Sequence, residues 1–112
     1  MIEITSQDFD VEVLECELPV FACFTTRWCH NCYPTCLFAD KLAEEYDRSI
    51  KFVRLDTETS PEITEKFHVV AVPTILIFKN AGEVNRLIGF QEPSFLKLLL
   101  DSLVAGKTNR SR

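Results

Sequence analysis

Val20-Phe21-Ala22-Cys23-Phe24, then Thr25-Thr26, then Arg27-Trp28-Cys29-His30-Asn31-Cys32: the fold turns on how this stretch is read. The unbroken apolar run Val20 to Phe24 has the character of a strand buried on both faces. From Cys32 onward, Cys32, Cys36, Ala39, Ala43 and Tyr46 recur at four- and three-residue steps, one face of a helix, while Asp40, Lys41, Glu44 and Glu45 fall largely elsewhere. A strand that runs into a helix places Cys29 at a helix N-terminus, where backbone N–H groups and the helix dipole favour a thiolate. Two cysteines separated by two residues can close a disulfide, clasp a metal, or shuttle electrons between thiol and disulfide. With the reactive thiolate favoured, the segment reads as a redox site.

The rest of the chain sets the frame. At 112 residues it fits one domain, long enough to bury roughly two-thirds of its unfolded surface. Twelve basic against seventeen acidic residues give a formal charge of −5, which argues against general nucleic-acid binding. No stretch approaches the ~20 apolar residues of a membrane span. Met1-Ile2-Glu3-Ile4 has neither a basic region nor a long apolar one, so no signal peptide is expected. Five cysteines are an odd count for a secreted disulfide scaffold, and a reducing cytoplasm is the expected location.

Working outward, Ile2 to Ile4 suits a short strand, and Ser6 suits the cap of a short helix over Asp8 to Glu15, ended by Pro19. Lys51 to Leu55 reads as a strand, and Ser60-Pro61 as the cap and first residue of a helix through about Phe67. Thr74 to Phe78, the turn Asn80-Ala81-Gly82 and Glu83 to Ile88 make a hairpin, closed by Gly89. Pro93 opens a last helix with an apolar face of Phe95, Leu96, Leu99 and Leu103. The order β-α-β-α-β-α-β-β-α means one α/β domain around a central mixed sheet, over residues 1–106, with 107–112 a polar, basic tail expected to fray.

With those elements in place, the chain resembles a thioredoxin. The resemblance rests on Trp28-Cys29-x-x-Cys32, on Val72-Pro73-Thr74 before a strand, and on Gly89 after the hairpin. Cys29 to Pro73 is 44 positions and Pro73 to Gly89 is 16, spacings typical of the family. The resemblance implies a thioredoxin fold and a protein-disulfide reductase working by dithiol–disulfide exchange, an electron-transport role in cell redox homeostasis. Cys29 would attack the substrate disulfide, and Cys32 would resolve the mixed disulfide. It implies no bound cofactor and no metal, disulfide-containing protein substrates, a thioredoxin-type reductase as partner, and a monomer without nucleic-acid or membrane binding. Trp28, Val72, Pro73 and Gly89 would meet the substrate, with Pro73 in the cis form packed by the sulfurs and the Val72 backbone pairing with an extended segment.

Four residues are expected to tune the site, and each departs from the family pattern. His30 and Asn31 stand where thioredoxins carry Gly-Pro; a protonated His30, with Arg27 nearby, would favour the Cys29 thiolate and make the couple more oxidising. Six residues before Cys29, Cys23 stands where the family carries a buried Asp, and Arg54 replaces the accompanying lysine. A thiol with a reference pKa of about 8.5 is a poor carboxylate substitute, so slower resolution by Cys32 is expected. Cys36 is expected near Cys23 and Cys32, with Cys23 and Cys36 filling small core sites; the alternative is a second disulfide or a regulatory oxidation among these thiols. Two readings of another class are a metal or iron–sulfur site from Cys29, Cys32 and Cys36, completed by Cys16 or His30, and a redox-inactive interaction module.

Overall fold

In a computed structural model, residues 1–110 are described, with side chains through Val104. Strands β1 (Ile2–Glu3), β2 (Val20–Thr25), β3 (Lys51–Asp56), β4 (Thr74–Lys79) and β5 (Gly82–Ile88) alternate with helices α1 (Cys32–Glu45), α2 (Pro61–Lys66) and α3 (Pro93–Arg110). The five strands form one sheet in the order β1-β3-β2-β4-β5. β1, β3 and β2 run parallel, and β4 and β5 add antiparallel. This is the thioredoxin fold, with the mixed sheet expected from the sequence.

β2 is the spine. It is paired on both sides and every one of its residues is buried, which is why its sequence is apolar without alternation. Successive side chains still point to opposite faces. Phe21 and Cys23, with Ile75 and Ile77 of β4, pack toward Ala39 and Leu42 of α1 and Leu96 and Leu100 of α3. Val20, Ala22 and Phe24, with Leu76 and Phe78, pack toward Phe9, Val13 and Ile63 on the other face. There Phe9, Phe67 and Phe78 form a triangle with ring centroids 5.3 to 5.5 Å apart. Each fully buried ring of this kind contributes roughly 1.5–3 kcal/mol of apolar transfer. The alternation has one consequence for function: it aims Cys23 at the α1 side.

Several elements differ from the sequence expectation. The segment expected as a short helix over Asp8 to Glu15 is a π-helical turn, Asp10–Leu14, closed by Glu15 N–H donating to the Asp10 carbonyl at 2.9 Å. Ser6 does not cap it, because its hydroxyl accepts the Ile63 N–H of α2 at 3.2 Å and so ties the two segments together. In α3 Phe95 is 46% exposed, and Leu100 joins Leu96 as the buried anchor. α3 runs to Arg110, and the tail expected over 107–112 lies partly outside the described residues. α2 does open at Pro61, but the Ser60 hydroxyl makes no cap bond; the Ser60 carbonyl accepts the Thr64 N–H instead.

The β4–β5 hairpin turns through Asn80 and Ala81 at φ 53° and 66°, with Lys79 paired to Gly82. Two successive residues at positive φ match the twist of the flanking strands. Past the turn, the register jumps so that Val84 is the extra residue of a bulge. Arg86 of β5 reaches across to α2, donating to the Phe67 carbonyl at 2.6 Å and the His68 carbonyl at 3.3 Å. His68, at φ 56°, thus lies in the left-handed turn that ends α2, a structural position. No described helix is long and apolar enough to cross a membrane.

Candidate active site

The site lies where β2 ends. After Thr25 the chain turns, with Cys29 N–H donating to the Thr26 carbonyl at 3.3 Å and Cys32 N–H to the Cys29 carbonyl at 3.2 Å. These turns bring the Cys29 and Cys32 Cα atoms to 5.3 Å, and the two sulfurs are joined in a disulfide. α1 begins at Cys32, where the apolar periodicity begins, and Cys29 sits in the turn leading into it. Pro34 lies in the first turn of α1, where a missing N–H leaves no intrahelical bond unmade. The disulfide is asymmetric. Cys32 is only 3% exposed, whereas Cys29 is half-buried and Trp28 beside it is 72% exposed. Arg27 stacks its guanidinium 5.5 Å from the centre of the Trp28 ring. His30 and Asn31, between the cysteines, are both exposed.

Pro73 is reached through the sheet. Phe24 of β2 pairs with Thr74 of β4, so Pro73 lies one position beyond, at the end of β2 from which the active-site turn departs. The Val72-Pro73 peptide bond is cis and Pro73 is buried. Its carbonyl accepts the Gly89 N–H at 2.7 Å, which couples the two distant motif residues. Gly89 adopts φ +85° with open space where a Cβ would be. Backbone conformation, not crowding, therefore explains the glycine.

Behind the disulfide a cavity of about 330 Å³ is lined by Cys29, Cys32, Cys36, Arg27, Tyr33 and Arg54, among others. Cys23 pairs with Arg54 in the β2–β3 register and is fully buried; Cys36, one turn below Cys32, opens partly onto the cavity. The Cys23 and Cys36 thiols are close enough to shift one another's ionisation, and Arg54, which donates to Glu3 at 3.0 Å, places its charge near the Cys36 sulfur. The Cys36 contact, with burial added, holds the Cys23 thiol well above its ordinary range. Cys36 moves the opposite way: the interaction with Cys23, joined by the Arg54 charge, lowers it to about 6 against the pull of burial. Cys36 is thereby the more acidic thiol of the pair and Cys23 the one that keeps its proton. The sequence placed three thiols together, but not this division of charge, nor Glu3 and Tyr33 at the site. Among the described residues no group of three or more His, Cys, Asp or Glu side chains is arranged to hold a metal ion.

A sequence model of the family described as Thioredoxin matches residues 1–102. The chain belongs to the thioredoxin family. It is 33% identical over 103 residues to a thioredoxin of Porphyra purpurea, covering 92% of this chain and 96% of that relative. It is 30% identical over 87 residues to thioredoxin 1 of a Nostoc species, covering 78% and 81%. A bifunctional thioredoxin reductase/thioredoxin of Mycobacterium leprae is 32% identical over 88 residues, 79% of this chain and 19% of that protein. Family membership and the Cys29–Cys32 disulfide together identify a thiol–disulfide oxidoreductase, a thioredoxin-like protein-disulfide reductase.

Proposed function

We infer that Cys29 is the attacking thiol and Cys32 the resolving one in the reduction of protein disulfides. The unequal exposure of the two cysteines carries this reading, since only the outer sulfur is open to a macromolecular substrate. In the reduced protein the Cys29 thiolate attacks one substrate sulfur. The substrate S–S bond breaks, a Cys29–substrate disulfide forms, and the departing thiolate takes a proton from water. Cys32 then loses its proton and attacks Cys29. The second substrate thiolate leaves, and two electrons have passed to the substrate, leaving the Cys29–Cys32 disulfide.

The substrate is an extended segment carrying a disulfide. Neither backbone group of Val72 takes part in a hydrogen bond among the described residues, which leaves it free for strand addition beside Pro73. Exposed Trp28, Val70, Ile88 and Phe90, each close in sequence to Cys29, Pro73 or Gly89, offer an apolar rim. Cys23 stands where the family carries an acid, and it stays protonated, so it supplies no base to Cys32 near neutral pH. Resolution is correspondingly slow and the mixed disulfide long-lived. The Cys-His-Asn-Cys sequence makes the couple more oxidising than a Gly-Pro counterpart. A thioredoxin-type reductase, the activity named in the bifunctional Mycobacterium leprae relative, returns the electrons. The protein acts as a cytoplasmic monomer in electron transport and cell redox homeostasis.

Trapping tests the roles. Cys32→Ser should accumulate mixed disulfides with cell proteins, and Cys29→Ser should accumulate none. Equal trapping by both variants, or no insulin reduction above dithiothreitol alone by the parent, would overturn the assignment.

A further inference from the structure

Beneath the exchange site lies a second pair of thiols that the reduction of substrates does not use. Cys36 opens on the same cavity as Cys29, Cys32 and Arg54, Cys23 is paired with Arg54 across β2 and β3, and the Cys23 and Cys36 thiols are close enough to shift one another's ionisation. We propose that Cys36 and Cys23 form a separate redox centre, in which Cys36 reacts with a hydroperoxide and Cys23 closes the product to a Cys23–Cys36 disulfide.

The chemistry follows from the division of roles. Cys36 has an open side, through the cavity, by which a small oxidant enters, and a cationic partner in Arg54. Cys23 is 0% exposed and keeps its proton, so it meets no oxidant directly. The groups facing Cys36 are Cys23 on β2, Arg54 on β3 and Asp40 on its own helix, with Glu3 of β1 held behind Arg54. Asp40 opposes ionisation of Cys36, whereas Cys23 and Arg54 favour it, and the balance brings the thiol to about 6.

The steps balance. The Cys36 thiolate attacks the outer peroxide oxygen, the O–O bond breaks, an S–O bond forms, and the alcohol or water leaves after taking up a proton. Sulfur has then lost two electrons, as a sulfenic acid. The Cys23 thiol attacks that sulfur, the S–O bond breaks, a second water leaves, and the S–S bond forms. Closure requires the two sulfurs to approach to about 2.05 Å. The product stitches α1 to β2 and removes the anionic sulfur behind Cys32.

The test is made on the full chain carrying Cys29→Ser and Cys32→Ser, so that the exchange disulfide cannot contribute and the outcome is independent of the roles assigned to it. Three of the five cysteines then remain: Cys16, Cys23 and Cys36. Treatment with a few equivalents of hydrogen peroxide, alkylation and peptide mass mapping should show a Cys23–Cys36 crosslink, with free thiols falling from three to one. Adding Cys23→Ser should leave a sulfenic acid on Cys36 that a 1,3-dione captures, and adding Arg54→Gln should slow that capture by about tenfold. Preferential oxidation of Cys16, intermolecular crosslinks in place of the Cys23–Cys36 bond, or equal dione capture with and without Arg54 would each overturn the proposal.

Discussion

Removing the Cys36 thiol should change how the stability of this fold depends on pH, and the sign is set by the direction of its shift. Folding lowers Cys36 from an ordinary 9.0 to about 6, chiefly through its interaction with Cys23. A group lowered on folding contributes stability that is complete above its unfolded value and is lost as pH falls through its folded value. The window is therefore pH 9 down to about pH 6. At about 1.36 kcal/mol for each pH unit, the full linkage is about 4 kcal/mol. The cavity admits solvent to Cys36, and screening reduces the expected difference to about 2 kcal/mol. Cys23, raised on folding, opposes this gain only near the top of the window, where its unfolded thiol begins to ionise. The assay is anaerobic urea unfolding at several pH values from 6 to 9, comparing Cys36→Ser with its parent, both carrying Cys29→Ser and Cys32→Ser to prevent disulfide exchange. The parent should gain about 2 kcal/mol more than the variant as pH rises. Parallel curves would refute the charge division between Cys36 and Cys23.

Three further perturbations test other parts of the structure. Gly89→Ala forces a side chain onto φ +85° and should destabilise by about 1–2 kcal/mol in chemical unfolding, even though the space is open; an unchanged midpoint would contradict the backbone explanation. Ala81→Gly relieves a left-handed alanine in the hairpin turn at φ 66° and should stabilise by about 1 kcal/mol, seen as a melting temperature a few degrees higher. Replacing His30 and Asn31 together by Gly and Pro should make the reduction potential more negative by on the order of 30 mV, about tenfold in equilibrium against glutathione; an equal or less negative value would count against the tuning role.

What was legible in the sequence were the features that local chemistry dictates. A strand buried on both faces must be apolar throughout, so β2 was visible as Val20 to Phe24, and Asn80-Ala81-Gly82 carried the hairpin. The family resemblance carried by Cys29, Pro73 and Gly89 implied a cis proline, which the structure has, and the hydrogen bond from Gly89 to Pro73 shows why those two residues belong together. The failures occurred where a distant partner decided the outcome. Ser6 has the composition of a helix cap, but its hydroxyl is occupied by Ile63, 57 residues away. In α3 both Phe95 and Leu100 are apolar, and only the position of the helix over the sheet decides that Leu100 is covered. The acidity of Cys36 was hidden for the same reason, because Cys23 and Arg54, which act on it, come from two strands of the sheet.

The two borders of the sheet bear on self-association. β1 has only two residues, too few to template another chain, and β5 is interrupted by the bulge at Val84 and carries the Glu83–Arg86 ion pair at 2.8 Å. Short, kinked and charged borders are the devices by which sheet proteins resist edge-to-edge aggregation. Copies of this chain crowded together are thereby kept from zipping into a continuous ribbon, while the unpaired backbone at Val72 stays open to a guest strand. The same sheet thus refuses its own kind along its rims and admits a stranger at one short loop.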